Sequence, residues 1–278
     1  MNKNIYKQLY QDLSMLENVL KPDWLERKPR FAFVIGLVYA IIGIIAAYIV
    51  FPRSQGIASI AFLSLLLVPS LNKIMVIEEV QDTKERKFTF KRIFKDHLDV
   101  LEIYLLLFLG IFLAYALFSL KFPNLLVSGI FDNQLRIIGV TGGAYSTLSF
   151  NSIFFNNLKV MLIFVVLSLI FGAGAILFLA WNASVWGVVF AYVATLTNNA
   201  FNAFTNTFVK VLPHMLAEAG AYFFAIVAGC ILSQAVLREK MGSKKFEYVL
   251  KDGMTFLTVS TILLIIGALL EVYFYMLL

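Results

Sequence analysis

The sequence predicts an all-α protein, a polytopic transmembrane helix bundle of about seven spans. Of its 278 residues, 60% are hydrophobic and 14% are charged, and the mean hydropathy is +0.84. A soluble chain of this size cannot keep so apolar a surface in water. Several apolar stretches reach the roughly 20 residues that a helix needs to cross a bilayer. The basic residues concentrate in three segments between such stretches, a pattern typical of cytoplasmic loops.

Residues 1–30 are predicted to form an N-terminal amphipathic cytoplasmic segment, and residues 31–278 a single transmembrane helical domain. Apolar residues in the first region recur at steps of three and four, which indicates a helix with one apolar face. They are Ile5, Leu9, Leu13, Leu16 and Leu20. Such a helix lies in the lipid headgroup region or packs beneath the bundle. The N-terminus does not read as a cleavable signal, so Met1 is expected to be retained.

The first three spans are predicted at Phe31–Phe51, Ile57–Ile77 and Val100–Leu120. Pro69 interrupts the second span near its end and predicts a kink there. The segment between the second and third spans, Glu78–Asp99, holds six basic and six acidic residues. It is too highly charged to cross a membrane, so we expect it at the membrane surface.

The middle of the chain is less regular. Residues 121–158 contain a proline and several glycines but stay apolar, which predicts short interfacial or re-entrant helices on the outer side. The apolar run that follows is about twice as long as one span, so it must break. The break is predicted at Trp181–Ser184, between a fourth span, Val160–Ala180, and a shorter fifth, Ala183–Thr197. Residues 198–208 mix phenylalanine with polar residues and predict an interfacial amphipathic turn.

The last two spans are predicted at Phe208–Leu237 and Met254–Leu278, with a charged loop at 238–252 between them. Glu271 then lies near the outer interface, where an occasional charge is ordinary. The sequence beyond residue 208 therefore predicts two long helices joined on the cytoplasmic side.

The basic residues predict the topology. Residues 1–30, 78–99 and 238–252 hold six, six and five of them, together 17 of the 23 in the chain. The positive-inside rule places these segments in the cytoplasm. Seven crossings then give a multi-pass protein of the cell membrane, with its N-terminus in the cytoplasm and its C-terminus outside. The basic residues that give the net charge of +6 lie mostly in these segments at the membrane surface. We therefore expect them to contact membrane lipids and not nucleic acid.

The sixth span carries the polar groups on which a functional interpretation depends. Pro213 suits the first turn of a helix, where its missing N–H costs nothing. His214, Glu218 and Tyr222 follow at steps of four, so they share one face. Ionisable groups inside a membrane are costly and normally face the bundle interior or a watery cavity. His214, Glu218 and Pro213, with Asn182 of the preceding region, are therefore the predicted structural or functional polar site.

A second stripe on the sixth span consists of small residues at the same spacing. Its members are Ala217, Ala221, Ala225 and Gly229. Small side chains let the backbones of neighbouring membrane helices approach closely. The stripe therefore predicts that this helix packs at the centre of the bundle.

Glu78, Glu79 and His97 form a second candidate cluster at the cytoplasmic edge. A glutamate pair of this kind also occurs in the intramembrane prenyl-protein proteases. Thr83, however, stands where that family has arginine, and Phe94 lies three rather than four residues before His97. For this cluster and for His214 with Glu218, hydrogen bonding to neighbouring helices is the favoured role.

No metal site or cofactor is expected. A zinc site normally has three or four protein ligands, and His214 with Glu218 supplies two. The single cysteine, Cys230, excludes a disulfide framework within the chain and a cysteine-based zinc site. Phosphate-binding glycine loops and serine nucleophile elbows are not recognisable either. The protein is therefore not expected to be an enzyme.

Motifs spread over nearly the whole chain resemble those of the stage II sporulation protein M family of bacterial and archaeal membrane proteins. In the second half they are Asn156-Asn157 opening a span, Gly172 and Gly174 within it, Asn182, Leu212-Pro213-His214, and Glu218. In the first half, which resembles the archaeal branch, they are Leu16 to Pro29, Pro69, Glu78-Glu79, His97 and Phe131-Asp132-Asn133-Gln134. The chain departs from the family at Ala183 and Met215, where glycine is usual.

The resemblance implies a non-catalytic membrane scaffold or assembly factor, because the sporulation member is similar to an anchor for cell-wall-remodelling proteins. Its partners would be other membrane or cell-envelope proteins, with a homo-oligomer as a further option. The alternative is a transporter or channel-like permease that uses His214, Glu218 and the break at Asn182. A transporter should show a polar cavity that reaches the middle of the membrane. A scaffold should instead satisfy His214 and Glu218 internally.

Overall fold

The computed structural model describes residues 29–82, 90–136, 149–171 and 175–276, and no strand occurs within these ranges. The helices whose bounds it gives are α1 (Arg30–Val50), α2 (Gln55–Asp82), α3 (Phe90–Lys121), α4 (Asn124–Ile130), α5 (Phe150–Phe171), α6 (Ile176–Thr195), α7 (Ala200–Arg238) and α8 (Lys244–Met276). The all-α fold class is confirmed. The predicted N-terminal amphipathic helix lies outside the described residues.

Six of the helices are long and apolar enough to cross a membrane: α1, α3, α5, α6, α7 and α8. The predicted second span falls on α2, whose apolar part, Gln55–Pro69, is shorter. Pro69 lies inside this helix. The protein is therefore a polytopic helix bundle, as predicted, in which six of the described helices are long and apolar enough to cross a membrane and one apolar helix is shorter.

Two groups of helices make up the bundle. In the first group, α1 packs against α2 and α3, and in the second group α7 packs against α5 and α8. The groups are joined because α6 packs on α2 and α3 as well as on α7. Since α7 contacts both groups and most of its apolar stretch is buried, it occupies the central place that its stripe of small residues predicts.

The structure describes α5 as far as Phe171 and α6 from Ile176, and the prediction of a break at Trp181–Ser184 is wrong because α6 continues through these residues. Asn182 and Ser184 do not interrupt α6, because their side chains donate hydrogen bonds to carbonyl oxygens of the same helix, each at 2.8 Å. Helix α5, which corresponds to the predicted fourth span, begins at Phe150 rather than Val160.

α7 begins at Ala200, so residues 198–208 are not a separate interfacial turn and Pro213 is not in a first turn. Asn199 caps the helix by accepting a 3.2 Å hydrogen bond from the Asn202 N–H. Phe208 stacks on Phe112 of α3, with ring centroids 5.4 Å apart. This packing fixes the first turns of α7, so the helix tolerates the backbone hydrogen bond that Pro213 removes.

The segments that connect the helices also differ from the predicted ones. α8 begins at Lys244, where the Ser243 hydroxyl accepts a 3.1 Å hydrogen bond from the Phe246 N–H. The predicted charged loop at 238–252 is thereby reduced to residues 239–243. Of the predicted connection at 121–158, the structure describes the short helix α4, helical residues 132–136, and residues 149–158, most of which form the first turns of α5. Residues 137–148 lie outside the description.

Candidate functional site

Glu218 lies on the buried face of α7, with only 6% of its surface exposed. Asn157 of α5 donates a 2.6 Å hydrogen bond from its Nδ2 to Oε1 of Glu218. The oxygen of the same amide accepts a weaker bond, 3.4 Å long, from Asn156 Nδ2. Because buried polar groups need partners, this amide chain connects the carboxyl group of α7 with an exposed side chain on α5.

The other neighbour of the Glu218 carboxyl group is that of Glu271 on α8, which lies close enough to interact with it. A hydrogen bond between two carboxyl groups requires a proton on one of them, because an ionised carboxylate only accepts hydrogen bonds. The close approach depends on Gly267, one turn before Glu271. A Cβ added at that glycine would lie 2.9 Å from Cγ of Glu218.

Tyr222 occupies the next turn of α7 and is 4% exposed. The ring stacks on Phe164 of α5, with centroids 5.0 Å apart. Tyr222 therefore fixes α5 against α7 directly beside the carboxyl pair.

A cleft of about 500 Å³ opens beside this group. α5 and α6 both pack on α7 but have little contact with each other in the described part of the chain. The cleft occupies the space between them, and Glu218 and Tyr222 of α7 form its floor. Its walls are Asn156, Asn157, Val160 and Ile163 from α5 and Phe178, Trp181, Asn182, Val185 and Trp186 from α6.

The cleft extends along the helices to membrane depth. Asn157 is seven residues beyond the start of α5, or roughly 10 Å at 1.5 Å per residue. Asn182 is thirteen residues before the end of α6 on the same side, or roughly 20 Å. The hydrocarbon core is roughly 30 Å thick, so polar groups line the cleft as far as its middle.

The structure brings together two of the four predicted site residues. Glu218 and Asn182 both line the cleft. His214 is half-buried one turn before Glu218 on α7, and Pro213 is exposed; neither of them lines the cleft. The polar site that sequence analysis placed on the sixth span and Asn182 is assembled from four helices, because α5 and α8 also contribute to it.

The region that contains this site also matches the model of a protein family. The family model for stage II sporulation protein M matches residues 131–274. The chain belongs to the stage II sporulation protein M family. The match contains α5 to α7 and nearly all of α8. It therefore includes Asn157, Glu218, Tyr222 and Glu271. The resemblance read from the sequence is confirmed, and the protein is a membrane protein of this family.

One relative in this family is uncharacterized protein MJ0793 of Methanocaldococcus jannaschii. It is 32% identical over 128 residues, which cover 45% of this chain and 70% of the relative. No solved structure matches the chain. The family assignment therefore rests on sequence alone, whereas the geometry of the cleft comes from the structure of this chain.

The predicted stripe of small residues faces other helices. Ala221 and Ala225 are fully buried, and the Ser260 hydroxyl of α8 donates a 2.6 Å hydrogen bond to the Ala221 carbonyl oxygen. A Cβ added at Gly229 would lie 2.6 Å from the Val165 carbonyl oxygen of α5. Ala217 lies opposite Gly267 of α8. The stripe therefore lets α5 and α8 approach α7 at van der Waals distance.

The second predicted cluster stays a prediction. Glu78 and Glu79 lie in the last turns of α2, and His97 lies in the first turns of α3; their side chains are outside the description. In the parts of the chain whose side chains are described, no three His, Cys, Asp or Glu residues come together as a metal site would require.

Sequence analysis missed Glu271, which was assigned to an ordinary interfacial position. A signal for it exists, because Gly267 and Glu271 are one turn apart and so place a small residue and a carboxyl group on one face of α8. The same pairing occurs on α7 between its small-residue stripe and Glu218. When two spans each carry a small residue and a carboxyl group on one face, the sequence predicts a polar contact between those spans.

Proposed function

We propose that this protein is a non-catalytic, permease-like membrane protein that binds a small ligand inside its helix bundle. One observation supports this most strongly: the cleft between α5 and α6 ends on Glu218. A volume of about 500 Å³ falls in the range of small-molecule sites, which join a mostly apolar wall to a few convergent polar groups. Polar residues at membrane depth are typical of ligand and ion pathways.

The lining of the cleft supports a binding role rather than a catalytic one. The described lining includes no serine, threonine, cysteine or lysine, the usual nucleophiles of covalent catalysis, and its acid–base side chains are Glu218 and Tyr222. Glu218 is itself engaged by Asn157 and Glu271. We therefore propose that the carboxyl pair serves binding and not bond cleavage.

A scaffold is the second candidate, and the internal bonding of Glu218 favours it. Both known partners of this carboxyl group belong to the same chain, as expected for a structural group. A partner's transmembrane helix would then cover the gap between α5 and α6. The size of the cleft argues against this, because it holds only a few side chains rather than a helix face.

Cysteine accessibility in intact membranes tests the proposal. Cys230 is the only cysteine, so Cys230→Ala gives a cysteine-free background. A cysteine at Asn182, which lines the cleft, should react with a small water-soluble thiol reagent. A cysteine at Ala183, which is fully buried on the same helix, is the matched control and should not react. Equal protection of both positions would contradict a ligand-accessible cleft.

Photocrosslinking separates the two candidates. A photoreactive phenylalanine analogue at Ile163 samples the cleft wall, and one at Ile45 samples the exposed face of α1. The scaffold interpretation requires a discrete protein adduct at Ile163 that is missing at Ile45. The permease interpretation requires only lipid or small-molecule adducts at both positions.

A further inference from the structure

We propose that the cleft selects organic cations, and that a bound cation exchanges for one proton at the Glu218–Glu271 pair. This inference rests on the ligand-binding function proposed above and names the class of ligand. It follows from the charge, the aromatic content and the hydrogen-bond directions of the residues around Glu218.

Charge favours a cation over an anion. Glu218 is the acidic side chain on the described lining, and it lies at the floor. Arg136 also lines the cleft, but 75% of its side chain is exposed and its guanidinium is paired with Asp132 at 2.8 Å. A ligand that enters the deep part of the cleft therefore meets a carboxyl group without a compensating cation.

The aromatic residues favour an organic cation with an apolar body. Trp181, Trp186 and Tyr222 line the cleft together with Phe178. Aromatic faces attract cations, and tryptophan does so most strongly. The same rings provide apolar contact area for the rest of the ligand.

The geometry disfavours a bare metal cation. Hard cations such as Ca²⁺ take six to eight oxygen ligands. The amide of Asn157 turns its NH₂ group, not its oxygen, toward Glu218. A bare ion would also leave most of a cleft of about 500 Å³ unfilled.

Proton exchange is inferred from the close approach of α8 to Glu218 at Gly267, which brings Glu271 beside it, since two neighbouring carboxyl groups can share one proton. With two protons the pair is neutral; with one proton it keeps the hydrogen bond and carries one negative charge. A cation that binds the singly protonated pair restores neutrality, and the second proton leaves to water. Charge and atoms balance, and the site stays neutral in both states, which matters because net charge is costly at membrane depth.

The groups around the pair are consistent with this exchange. α8 contributes Glu271, and α7 contributes His214 and Tyr222 beside Glu218. α5 contributes the uncharged amide of Asn157, which donates to Glu218, and α6 contributes the uncharged amide of Asn182 to the cleft lining. Lys159 of α5 is exposed and does not line the cleft. Acidification should therefore weaken cation binding through the carboxyl pair.

The test uses tetraphenylphosphonium as the probe and the full-length protein in detergent. Two of the three tryptophans line the cleft, so tryptophan fluorescence reports on its occupation, and Trp24→Phe removes the third signal. We expect saturable binding of tetraphenylphosphonium at pH 8. Tetraphenylborate has nearly the same shape and the opposite charge, so it is the matched control and should bind at least tenfold more weakly.

Two variants test the residues. Glu218→Gln should weaken tetraphenylphosphonium binding at least tenfold, while Glu102→Gln, which changes an exposed carboxyl group on α3, should not. If Glu218→Gln fails to fold, Asn182→Phe fills the cleft without altering the carboxyl pair and should cause a similar loss. Equal binding of the two probe ions, or unchanged binding in both folded variants, would overturn the assignment of an organic cation.

The exchange step has its own readout. Below the pH at which the pair takes up its second proton, affinity should fall by about tenfold per pH unit, as exchange of one proton requires. A pH-independent affinity would overturn the exchange. If Asn182→Cys is accessible but the phosphonium does not bind, the ligand class is wrong and the cleft function stands. If Asn182→Cys is also protected, the proposed function itself fails.

Discussion

Asn157 of α5 and Glu218 of α7 lie 61 positions apart in the chain and are joined by a 2.6 Å hydrogen bond in the bundle interior. The bond connects a neutral donor to a carboxyl group that has almost no contact with solvent. Hydrogen bonds to a carboxyl group are among the stronger ones in proteins. This contact therefore fixes the position of Glu218 at the floor of the cleft.

Removal of that donor should destabilise the protein. Asn157→Ala leaves a buried carboxyl oxygen without its amide partner, at a cost of about 1–3 kcal/mol. Asn156→Ala is the matched control, because this neighbour is exposed and makes only a 3.4 Å bond. Unfolding in a detergent denaturant series should separate the two variants. If the two variants lose the same amount of stability, the Asn157–Glu218 bond stabilises the fold no more than the bond of the exposed Asn156 does.

The helical class and the central place of α7 could be predicted because they depend on local periodicity. Apolar length identified the spans, and the stripe from Ala217 to Gly229 identified the packing face of α7. The continuity of α6 through Asn182 and Ser184 could not be predicted in the same way. Asn182 and Ser184 look like breakers in the sequence, but each finds a carbonyl acceptor on its own helix.

The candidate site was predicted in part for a related reason. Residues four apart on one helix are visible in a sequence, so Glu218 stood out beside His214. The hydrogen bonds of Glu218 come instead from Asn157 and Glu271 on two other helices. Such pairings depend on how α5 and α8 are rotated against α7, which is a property of tertiary packing and not of spacing along the chain.

The glycine on the central helix should not tolerate a side chain. Gly229→Ala places a Cβ 2.6 Å from the Val165 carbonyl oxygen, and backbone atoms cannot move aside cheaply. We expect a loss of about 1–3 kcal/mol from overpacking. Gly220→Ala on the same helix is the matched control, since its nearest neighbour, Cδ1 of Leu263, would be 3.4 Å away. Equal thermal stability of the two variants would show that α5 and α7 are not in close contact at Gly229.

The predicted topology is tested by labelling single cysteines in the Cys230→Ala background. Positions Gln81 and Ser243 lie in segments rich in basic residues, so they should react only from the cytoplasmic side. Asn199, just before α7, should react only from outside. A membrane-impermeant thiol reagent applied to sealed cells and to inverted vesicles distinguishes the sides. Labelling of Ser243 from outside would exclude an even number of crossings between it and Gln81.

The last prediction concerns the carboxyl pair of Glu218 and Glu271. The shared proton allows two acidic groups to lie together in the membrane, because two adjacent negative charges repel each other strongly. Raising the pH until that proton is lost should therefore lower the thermal stability of the wild-type protein. Glu271→Gln keeps the shape, and its NH₂ group can donate to Glu218 at any pH. This variant should be at least as stable as wild type at alkaline pH, with a flatter pH dependence.

Alanine at the same position gives the opposite expectation. Glu271→Ala removes the partner and leaves Glu218 with Asn157 as its remaining bonding partner from another helix, so it should destabilise the fold by about 1–3 kcal/mol. The double variant Glu218→Ala with Glu271→Ala should cost less than the sum of the single changes, because residues in contact are coupled by about 0.5–3 kcal/mol. Additive single and double variants, with the same pH profile in Glu271→Gln and wild type, would mean that the two carboxyl groups do not share a proton.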